Sequence, residues 1–325
     1  MKIAPLTIAL LFATVRCSSP TGNDERGNAA WRLATGAPLA VYEAQGAVVG
    51  GRVYVFGGFY NGKTQATTRV QRYDPVADSW DSVAPLPEKI THAGHAADDH
   101  RVWLVGGFVG DHPGSSTSHV WLYDVATGQW RRLPDLPAPR GGGGAALIGS
   151  TLHFVGGVVR NGDVYQPDAA DHWTLDVDTG TAWHPDAPLP NPRNHLGVIA
   201  LDDRIYAIGG QHQGNELDGN QATVERYDLS TKQWTTLTPL PVPRGHISSS
   251  LVARNGRILV IGGLTQGSRP LADVLAFDPQ AQTWTALDPL PAPRQSPVAK
   301  LVGDILITTT GSHDGPRGTT WIATH

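Results

Sequence analysis

Short apolar runs, each closed by a pair of glycines, recur along most of the chain. The runs occupy residues 53–56, 102–105, 152–155, 205–208 and 258–261. The glycine pairs that follow them begin at residues 57, 106, 156, 209 and 262, so successive pairs lie 49, 50, 53 and 53 residues apart. A degenerate sixth copy, Thr310-Gly311, comes 48 residues after the fifth. A fixed period near 50 residues predicts a repeat architecture.

Each glycine pair is followed by a polar loop, a short run that ends in an aromatic residue (leucine in the third repeat) and aspartate, a tryptophan, and a proline-rich turn. The pairs before the tryptophans are Tyr73-Asp74, Tyr123-Asp124, Leu175-Asp176, Tyr227-Asp228 and Phe277-Asp278. The tryptophans are Trp80, Trp130, Trp183, Trp234 and Trp284. Four short segments rich in β-branched and aromatic residues therefore fill each repeat. This pattern predicts four strands per repeat and no long helix.

The glycine pair, the aromatic–aspartate pair and the spaced tryptophan together resemble the kelch repeat over residues 29–325. The resemblance implies an all-β fold, a six-bladed kelch β-propeller with four antiparallel strands per blade. The last repeat ends near Trp321 without a tryptophan strand, whereas residues 30–33 supply such a strand at the other end of the chain. We expect this N-terminal strand to close the last blade, because closure removes open sheet edges.

The first residues have the character of an export signal. Lys2 gives a basic start, and the apolar stretch around residues 8–15 is too short to span a bilayer. Cys17, the only cysteine, stands where such a signal is cleaved, and this resembles a bacterial lipoprotein signal. Arg16 departs from that pattern, since a small residue is expected there. Ordinary secretion and an incidental cysteine are the alternatives.

These features predict a signal peptide with a lipidated Cys17 at residues 1–17, a flexible tether at 18–28 and the propeller at 29–325. We expect an exported protein of the bacterial cell envelope, in the periplasm or as an outer-membrane lipoprotein. The lipid anchor would be its sole attachment to the membrane.

Composition excludes several kinds of site. The propeller contains no thiol, which rules out disulfides, thiolate metal sites and cysteine nucleophiles. The net charge of −4, the pI near 6.3 and the absence of a run of Lys or Arg give no reason to expect nucleic acid binding. A hydrophobic content of 40% with 38 glycines suits a compact all-β domain with many turns. We expect a monomer.

The start of the innermost strand of each blade is the first candidate position, because related kelch domains place side chains of their ligand pocket there. Alignment of the repeats puts Glu43, His92, Gly142, His195, His246 and Ser296 at this position. Three imidazoles and a carboxylate can bind zinc, iron or copper, so Glu43, His92, His195 and His246 form a candidate metal site. An organic ligand pocket without metal, and solvated channel residues without a function, are the alternatives.

A second set of positions lies two residues after each glycine pair and borders the same mouth in kelch domains that bind ligands. Its polar members are Tyr60, His212, Thr265 and His313. The fourth loop is the most polar and adds Gln211 and Glu216. The candidate funnel residues are thus Glu43, Tyr60, His92, His195, Gln211, His212, Glu216, His246, Ser296 and His313. The arginines that follow the proline-rich turns, Arg140, Arg193, Arg244 and Arg294, are expected to form structural hydrogen bonds or ion pairs.

Fold alone does not give function, because the propeller supports binding scaffolds and enzymes alike. We expect a binding module whose central funnel captures a small molecule, a glycan, a metal or a protein partner. One alternative is an exported enzyme of the sugar mutarotase or epimerase type, resembling the bacterial sialic acid mutarotases. Glu43 with His195, or His212 with Glu216, would then be its acid and base. Another is an enzyme that uses the His/Glu ring and a divalent transition metal.

Overall fold

The computed structural model describes residues 31–213 and 219–324. The predicted signal with Cys17, the tether at 18–28 and the candidate residue Glu216 lie outside these residues. The described regular structure is strand throughout, apart from one short 3₁₀ turn, Gln266–Ser268. The all-β prediction is therefore confirmed. Among the described residues, no helix is long and apolar enough to cross a membrane.

The strands are short, most of them two to five residues long. The first half of the chain contains β1 (Arg32–Ala34), β2 (Gln45–Val49), β3 (Arg52–Phe56), β4 (Val70–Asp74), β5 (Ser79–Val83), β6 (Ile90–Thr91), β7 (Gly94–Ala97), β8 (Arg101–Val105), β9 (Phe108–Val109), β10 (Ser115–Ser116), β11 (Val120–Asp124), β12 (Gln129–Arg132), β13 (Gly144–Ile148), β14 (Thr151–Val155), β15 (Arg160–Asn161) and β16 (Val164–Tyr165). The second half contains β17 (His172–Asp176), β18 (His184–Pro185), β19 (Gly197–Leu201), β20 (Arg204–Ile208), β21 (Val224–Asp228), β22 (Gln233–Thr236), β23 (Leu251–Arg254), β24 (Arg257–Ile261), β25 (Leu264–Thr265), β26 (Arg269–Pro270), β27 (Val274–Asp278), β28 (Thr283–Leu287), β29 (Val298–Val302), β30 (Ile305–Thr309) and β31 (Thr320–Thr324).

Six of the sheets that these strands form have four antiparallel strands each. Sheet 1 is β2-β3-β4-β5, sheet 2 is β7-β8-β11-β12, sheet 3 is β13-β14-β17-β18, sheet 4 is β19-β20-β21-β22, sheet 5 is β23-β24-β27-β28 and sheet 6 is β29-β30-β31-β1. The outer strand of sheet 6 comes from the beginning of the described chain, where Leu33 pairs with Trp321. Smaller sheets, β6-β9-β10, β15-β16 and β25-β26, lie in the connecting loops.

The second glycine of each pair ties its sheet to the next one. The N–H of Gly58 donates to the carbonyl oxygen of Ile90 at 3.2 Å. Equivalent bonds of 2.7–2.9 Å run from Gly107 to Arg140, Gly157 to Arg193, Gly210 to Arg244, Gly263 to Arg294 and Gly311 to Val41. At Gly57 the backbone is left-handed, with φ +62°, and a Cβ would lie 2.5 Å from the Ile90 oxygen. The glycine pair recurs because both the conformation and this close approach require it.

Each tryptophan makes a second link, through its indole N–H. Nε1 of Trp80 in sheet 1 donates to the carbonyl of Thr35, which follows β1 of sheet 6, at 2.8 Å. The same bond joins Trp130 to Ala84, Trp183 to Pro134, Trp234 to Ala187, Trp284 to Thr238 and Trp31 to Asp288. Each acceptor stands four residues after the tryptophan of the preceding sheet. The fixed spacing between the tryptophan and the proline-rich turn thus places a carbonyl where the tryptophan of the next sheet can hydrogen-bond to it.

Hydrophobic clusters fill the spaces between neighbouring sheets. Between sheets 6 and 1, for example, Val53 and Val55 pack with Ile307 and Ile322. The second strand of each sheet is the most buried because neighbours cover both of its faces, whereas fourth strands such as β5 are largely exposed. The first strands contact one another in the order β2, β7, β13, β19, β23 and β29, and β29 also contacts β2. They therefore surround a common central space.

Three of the repeated arginines form ion pairs, as expected. Arg193 is fully buried, and its Nη1 lies 2.5 Å from Oε2 of Glu225. Arg244 pairs with Asp273 at 2.6 Å, and Arg140 pairs with Asp171. Arg294 differs: in the part of the chain that is described, its guanidinium pairs with no carboxylate and lies 4.3 Å from the centre of the Trp321 ring.

Candidate functional site

The six aligned positions before the first strands share one backbone conformation. Their φ angles are all positive: +53° at Glu43, +52° at His92, +67° at Gly142, +51° at His195, +56° at His246 and +49° at Ser296. A non-glycine residue in this region carries about 1–3 kcal/mol of strain, which folded proteins retain mostly at functional sites. Five of the six positions bear that strain here.

Backbone hydrogen bonds connect these positions from one sheet to the next. The N–H of His92 donates to the carbonyl of Glu43 at 3.4 Å, and that of Gly142 donates to the carbonyl of His92 at 2.9 Å. The N–H of His246 donates to the carbonyl of His195 at 3.0 Å, and that of Ser296 to the carbonyl of His246 at 3.1 Å. The side chains of these residues are therefore brought together at one end of the central space.

The carboxylate of Glu43 is the centre of a buried hydrogen-bond network. Its Oε1 accepts bonds from Nδ1 of His246 at 2.5 Å, from Nε2 of Gln295 at 3.1 Å and from the hydroxyl of Ser296. Its Oε2 lies 3.3 Å from Nε2 of His92. Burial alone would raise the pKa of Glu43, but the imidazoles of His246 and His92 outweigh it and hold this pKa well below the ordinary value. Glu43 is therefore ionised at neutral pH.

The contacts of His92 with Glu43 and Thr91 indicate its tautomer. An ionised carboxylate only accepts, so Nε2 of His92 carries the proton that faces Glu43. Nδ1 then accepts a bond from the hydroxyl of Thr91 at 2.9 Å. Burial lowers the pKa of His92 to about 4, against the opposing effect of Glu43. This imidazole is thus neutral at pH 7.

A chain of polar side chains orients His195 in the same way. The carboxylate of Asp168 accepts a bond from the side-chain amide of Asn194, whose carbonyl oxygen accepts one from Nδ1 of His195. Burial, followed by the neighbouring His246 and His92, lowers the pKa of His195 well below the ordinary value. The lone pair of the neutral ring is therefore on Nε2, which has no hydrogen-bond partner among the described residues.

The three histidines form a compact cluster. The ring centres of His92 and His195 are 4.7 Å apart, and those of His195 and His246 are 4.4 Å apart. One ring nitrogen from each residue can be chosen so that all three lie within 4.8 Å of one another. Sequence alignment of the repeats thus identified residues that the fold does bring together.

A cavity of about 380 Å³ opens beside this cluster. Its polar and aromatic lining includes Tyr42, Glu43, Phe59, His92, Arg160, Tyr165, His195, His246 and Gln295. Glu43 is the one carboxylate among the described lining residues; its Oε1 accepts hydrogen bonds and its Oε2 lies near Nε2 of His92. The cavity is large enough for a small organic molecule or for a side chain of a partner.

Arg160 is the unusual member of this lining, because it is buried and, within residues 31–213 and 219–324, has no carboxylate partner. Its Nε donates to the carbonyl of Gly114 at 2.7 Å and its Nη1 to the hydroxyl of Tyr165 at 3.0 Å. The guanidinium lies 3.6 Å from the centre of the Phe108 ring. Nη2 is buried without a hydrogen-bond partner, and no described carboxylate pairs with the group. A buried polar group that lacks a partner calls for an explanation, and a ligand is one.

The other predicted positions lie elsewhere. Ser296 touches the network through Glu43, whereas Gln211 is buried behind the cavity wall and pairs through its backbone with the segment before His195. Nε2 of His212 bonds the side chain of Asn191 at 2.8 Å. Tyr60 and His313 are each 37% exposed. Of the residues that the structure describes, neither these two nor His212 line the cavity.

Asn194, Gln295, Arg160 and Asp168 belong to the site but were not singled out in the sequence. Asn194 and Gln295 each stand directly before an aligned position. Comparing the residues just before the aligned positions across the repeats would therefore have found them. Arg160 is three residues after the third glycine pair and is the one basic residue at that place in any repeat. Asp168 gives no such signal, because it lies in the loop between β16 and β17, where the repeats share no common sequence pattern.

Comparison with known proteins agrees with the repeat analysis. A family model, the KLHDC2/KLHL20/DRC7 Kelch-repeats domain, matches residues 28–210 and 92–311. Kelch-like protein terF of Aspergillus terreus is 30% identical over 239 residues, which cover 71% of this chain and 51% of that protein. A Kelch repeat-containing protein of Arabidopsis thaliana is 26% identical over 253 residues, covering 72% and 58%. These matches confirm the resemblance drawn from the glycine and tryptophan pattern.

A viral relative shows the same partial coverage. Kelch repeat and BTB domain-containing protein 1 of horsepox virus is 25% identical over 226 residues, covering 69% of this chain and 38% of the viral protein. The chain thus spans less than two thirds of the length of each of these relatives.

The lowered pKa of His92 predicts a loss of stability in mild acid. Between pH 6.5 and about 4 the unfolded chain binds a proton on His92 that the folded chain does not, so the free energy of unfolding falls as pH falls through this window. The full contribution is roughly 3 kcal/mol, and Glu43 adds a further loss below about pH 4.5. Urea unfolding between pH 7.5 and 4.5 should show a shallower pH dependence in His92→Gln than in wild type. The exposed His184→Gln is the control, and an equal slope in both variants would contradict the prediction.

Proposed function

Because the chain belongs to the kelch-repeat family, we propose that it is a binding module whose six sheets form a closed six-bladed propeller. The links that run from sheet 6 to sheet 1 support closure. The N–H of Gly311 bonds the carbonyl of Val41 at 2.8 Å, Trp80 bonds Thr35, and β29 contacts β2. These contacts have the same form as those between the other neighbouring sheets.

The ligand of this module carries an anionic group and occupies the cavity beside Glu43. The observation that carries this proposal is the buried guanidinium of Arg160, which pairs with no carboxylate in the part of the chain that the structure describes. Glu43 cannot serve as that partner, because His246, Gln295 and Ser296 occupy one of its oxygens and His92 faces the other. A ligand carboxylate is the group that matches a guanidinium in charge and geometry.

The surrounding side chains suit a polar organic ligand. Nε2 of His195 offers a lone pair to a ligand hydroxyl, while the rings of Tyr42, Phe59 and Tyr165 offer apolar faces. A free acidic sugar, an acidic glycan or an acidic side chain of a partner protein each presents this chemistry. Kelch domains commonly mediate protein interactions, so a protein ligand is consistent with the family.

Calorimetric titration with glucuronate and glucose tests the proposal, because the two sugars differ by one carboxylate. We expect wild type to bind glucuronate or N-acetylneuraminate and not glucose. Arg160→Met should weaken binding of the acids roughly 10- to 100-fold, since a charged hydrogen bond is lost. The exposed Arg69→Met should leave binding unchanged. Absence of acid binding in wild type, or equal affinity in Arg160→Met, would contradict the proposal.

The same N-acetylneuraminate samples address the mutarotase alternative. Exchange between the two anomers, followed by NMR, should be faster with wild type than with buffer if the cavity supplies acid and base to the anomeric carbon. An unchanged exchange rate with demonstrable binding would leave a binding module without this activity.

A metal site is the second candidate function, favoured by how two of the histidines are held. Nδ1 of His246 donates to Glu43 and Nδ1 of His195 to Asn194, which are the outer hydrogen bonds that metal-binding imidazoles usually make. In this arrangement Glu43 orients the imidazole of His246 toward the metal and does not itself bind the metal. Nδ1 of His92 is hydrogen-bonded to Thr91 and its Nε2 faces Glu43, so the ring must turn to bind. The nitrogens must also close from 4.8 Å to roughly 3.4 Å, as tetrahedral zinc requires.

Elemental analysis of protein purified without chelator or histidine tag tests this candidate. The metal hypothesis predicts near-stoichiometric zinc, iron or copper in wild type, lost in His195→Ala and retained in the exposed control His184→Ala. A wild-type protein that contains no metal and takes none up on titration would rule the site out.

Export with a lipid anchor on Cys17 is a further part of the proposal. Its support is the basic start, short apolar stretch and single cysteine of residues 1–17; the fungal, plant and viral relatives add none. Metabolic labelling with an alkyne fatty acid in a bacterial host should label the wild-type chain and not Cys17→Ser. Equal labelling of both, or of neither, would contradict the lipid anchor.

A further inference from the structure

A second cavity, separate from the one beside Glu43, lies between the first strands of all six sheets. Its volume is about 400 Å³, and most of its lining consists of alanine, valine, leucine and isoleucine. Three side chains break this apolar lining: the amine of Lys300 on β29, the imidazole of His95 on β7 and the hydroxyl of Ser248. Among the described residues, no carboxylate faces the cavity.

The ammonium charge of Lys300 has few compensating interactions in this cavity. Its Nζ donates one hydrogen bond, to the carbonyl of Ser249 at 3.1 Å, and forms no ion pair in the described part of the chain. Burial disfavours the charged ammonium and lowers the pKa of Lys300 to about 7. The side chain is only half-buried, so a small molecule in the cavity can reach it. About half of this amine is neutral, and therefore nucleophilic, at pH 7.

His95 is the second titratable group that faces the cavity. Burial, with a smaller effect of the nearby Lys300, lowers its pKa well below the ordinary value. A neutral imidazole beside a neutral amine can move a proton between the groups of an adduct. The lining thus combines a nucleophile, a proton carrier and an apolar space of limited size.

We propose that this cavity is a carbonyl-binding site in which Lys300 forms a Schiff base with a small, uncharged aldehyde or ketone. The Nζ lone pair attacks the carbonyl carbon, the C–N bond forms, and the oxygen takes up a proton that the nitrogen releases. The resulting carbinolamine then loses its hydroxyl as water, using the second Nζ proton, and leaves the imine. His95 moves these protons between nitrogen and oxygen. Amine and carbonyl give imine and water, so the step needs no other reactant.

The other lysines that the structure describes provide an internal comparison. Lys63, Lys89 and Lys232 are exposed, and none of them lines the apolar cavity. Burial in that cavity leaves about half of the Lys300 amines neutral at pH 7. A weaker base is intrinsically less reactive. Even so, Lys300 should react with an aldehyde ~10-fold or more faster than the exposed lysines.

Reductive trapping tests the proposal on the full-length protein. Butanal is added at pH 7 with sodium cyanoborohydride, which reduces an imine to a stable amine, and peptide mapping by mass spectrometry locates the adducts. We expect Lys300 to be labelled first, with a rate that rises through a midpoint near pH 7. The exposed Lys63 should be labelled more slowly at pH 7.

Two substitutions complete the test. Lys300→Met places an apolar chain of similar length in the cavity and should abolish the fast labelling, whereas Lys63→Met should leave it intact. Lys300→Arg keeps the cation but cannot form an imine. It replaces Lys300→Met in the labelling test if the methionine variant does not fold. His95→Gln should slow labelling of Lys300 without changing that of Lys63. Labelling of Lys300 no faster than that of Lys63, or with a midpoint near pH 10, would overturn the proposal. This outcome is independent of anion binding in the first cavity.

Discussion

The carboxylate of Glu43 joins segments that are more than 200 residues apart in the chain. His246, Gln295 and Ser296 reach it from the starts of sheets 5 and 6, and His92 reaches it from sheet 2. A carboxylate that loses its water would be several kcal/mol less favourable without such donors. Because the donors are present, Glu43 remains ionised and in turn orients two imidazoles. The arrangement of the cavity therefore depends on this one buried charge.

The hydrogen-bond network around Glu43 requires neighbouring sheets that hold residues with left-handed backbones in place. The glycine and tryptophan links repeat between successive sheets and hold their first strands in contact with one another. The aligned positions can then keep left-handed backbones that would relax in a freer segment. Identical backbone geometry with different side chains gives the site its asymmetry: a carboxylate in sheet 1, imidazoles in sheets 2, 4 and 5, and only glycine in sheet 3.

The sequence predicted the repeat, the strand content and four of the cavity residues, because these depend on local features that recur at a fixed spacing. Counting from the glycine pairs located His92 and His195, and the fold brings them into contact. Loop side chains were less predictable. Tyr60 and His313 occupy aligned positions yet turn toward solvent, while Arg160 reaches the cavity from the hairpin β15-β16. The direction of Arg160 depends on contacts with Gly114 and Phe108, which are distant in the chain and which no local pattern encodes.

The ionisation of Glu43 is the central claim, and NMR measures it directly. In protein labelled with ¹³C-glutamate, the side-chain carboxyl resonance that disappears in Glu43→Gln reports this residue, and its shift can be followed from pH 7 to pH 3. The account predicts that the resonance keeps the ionised shift at pH 4.5, the ordinary midpoint, and changes only well below it. A midpoint at or above pH 4.5 would contradict the account, because burial would then outweigh the histidine network.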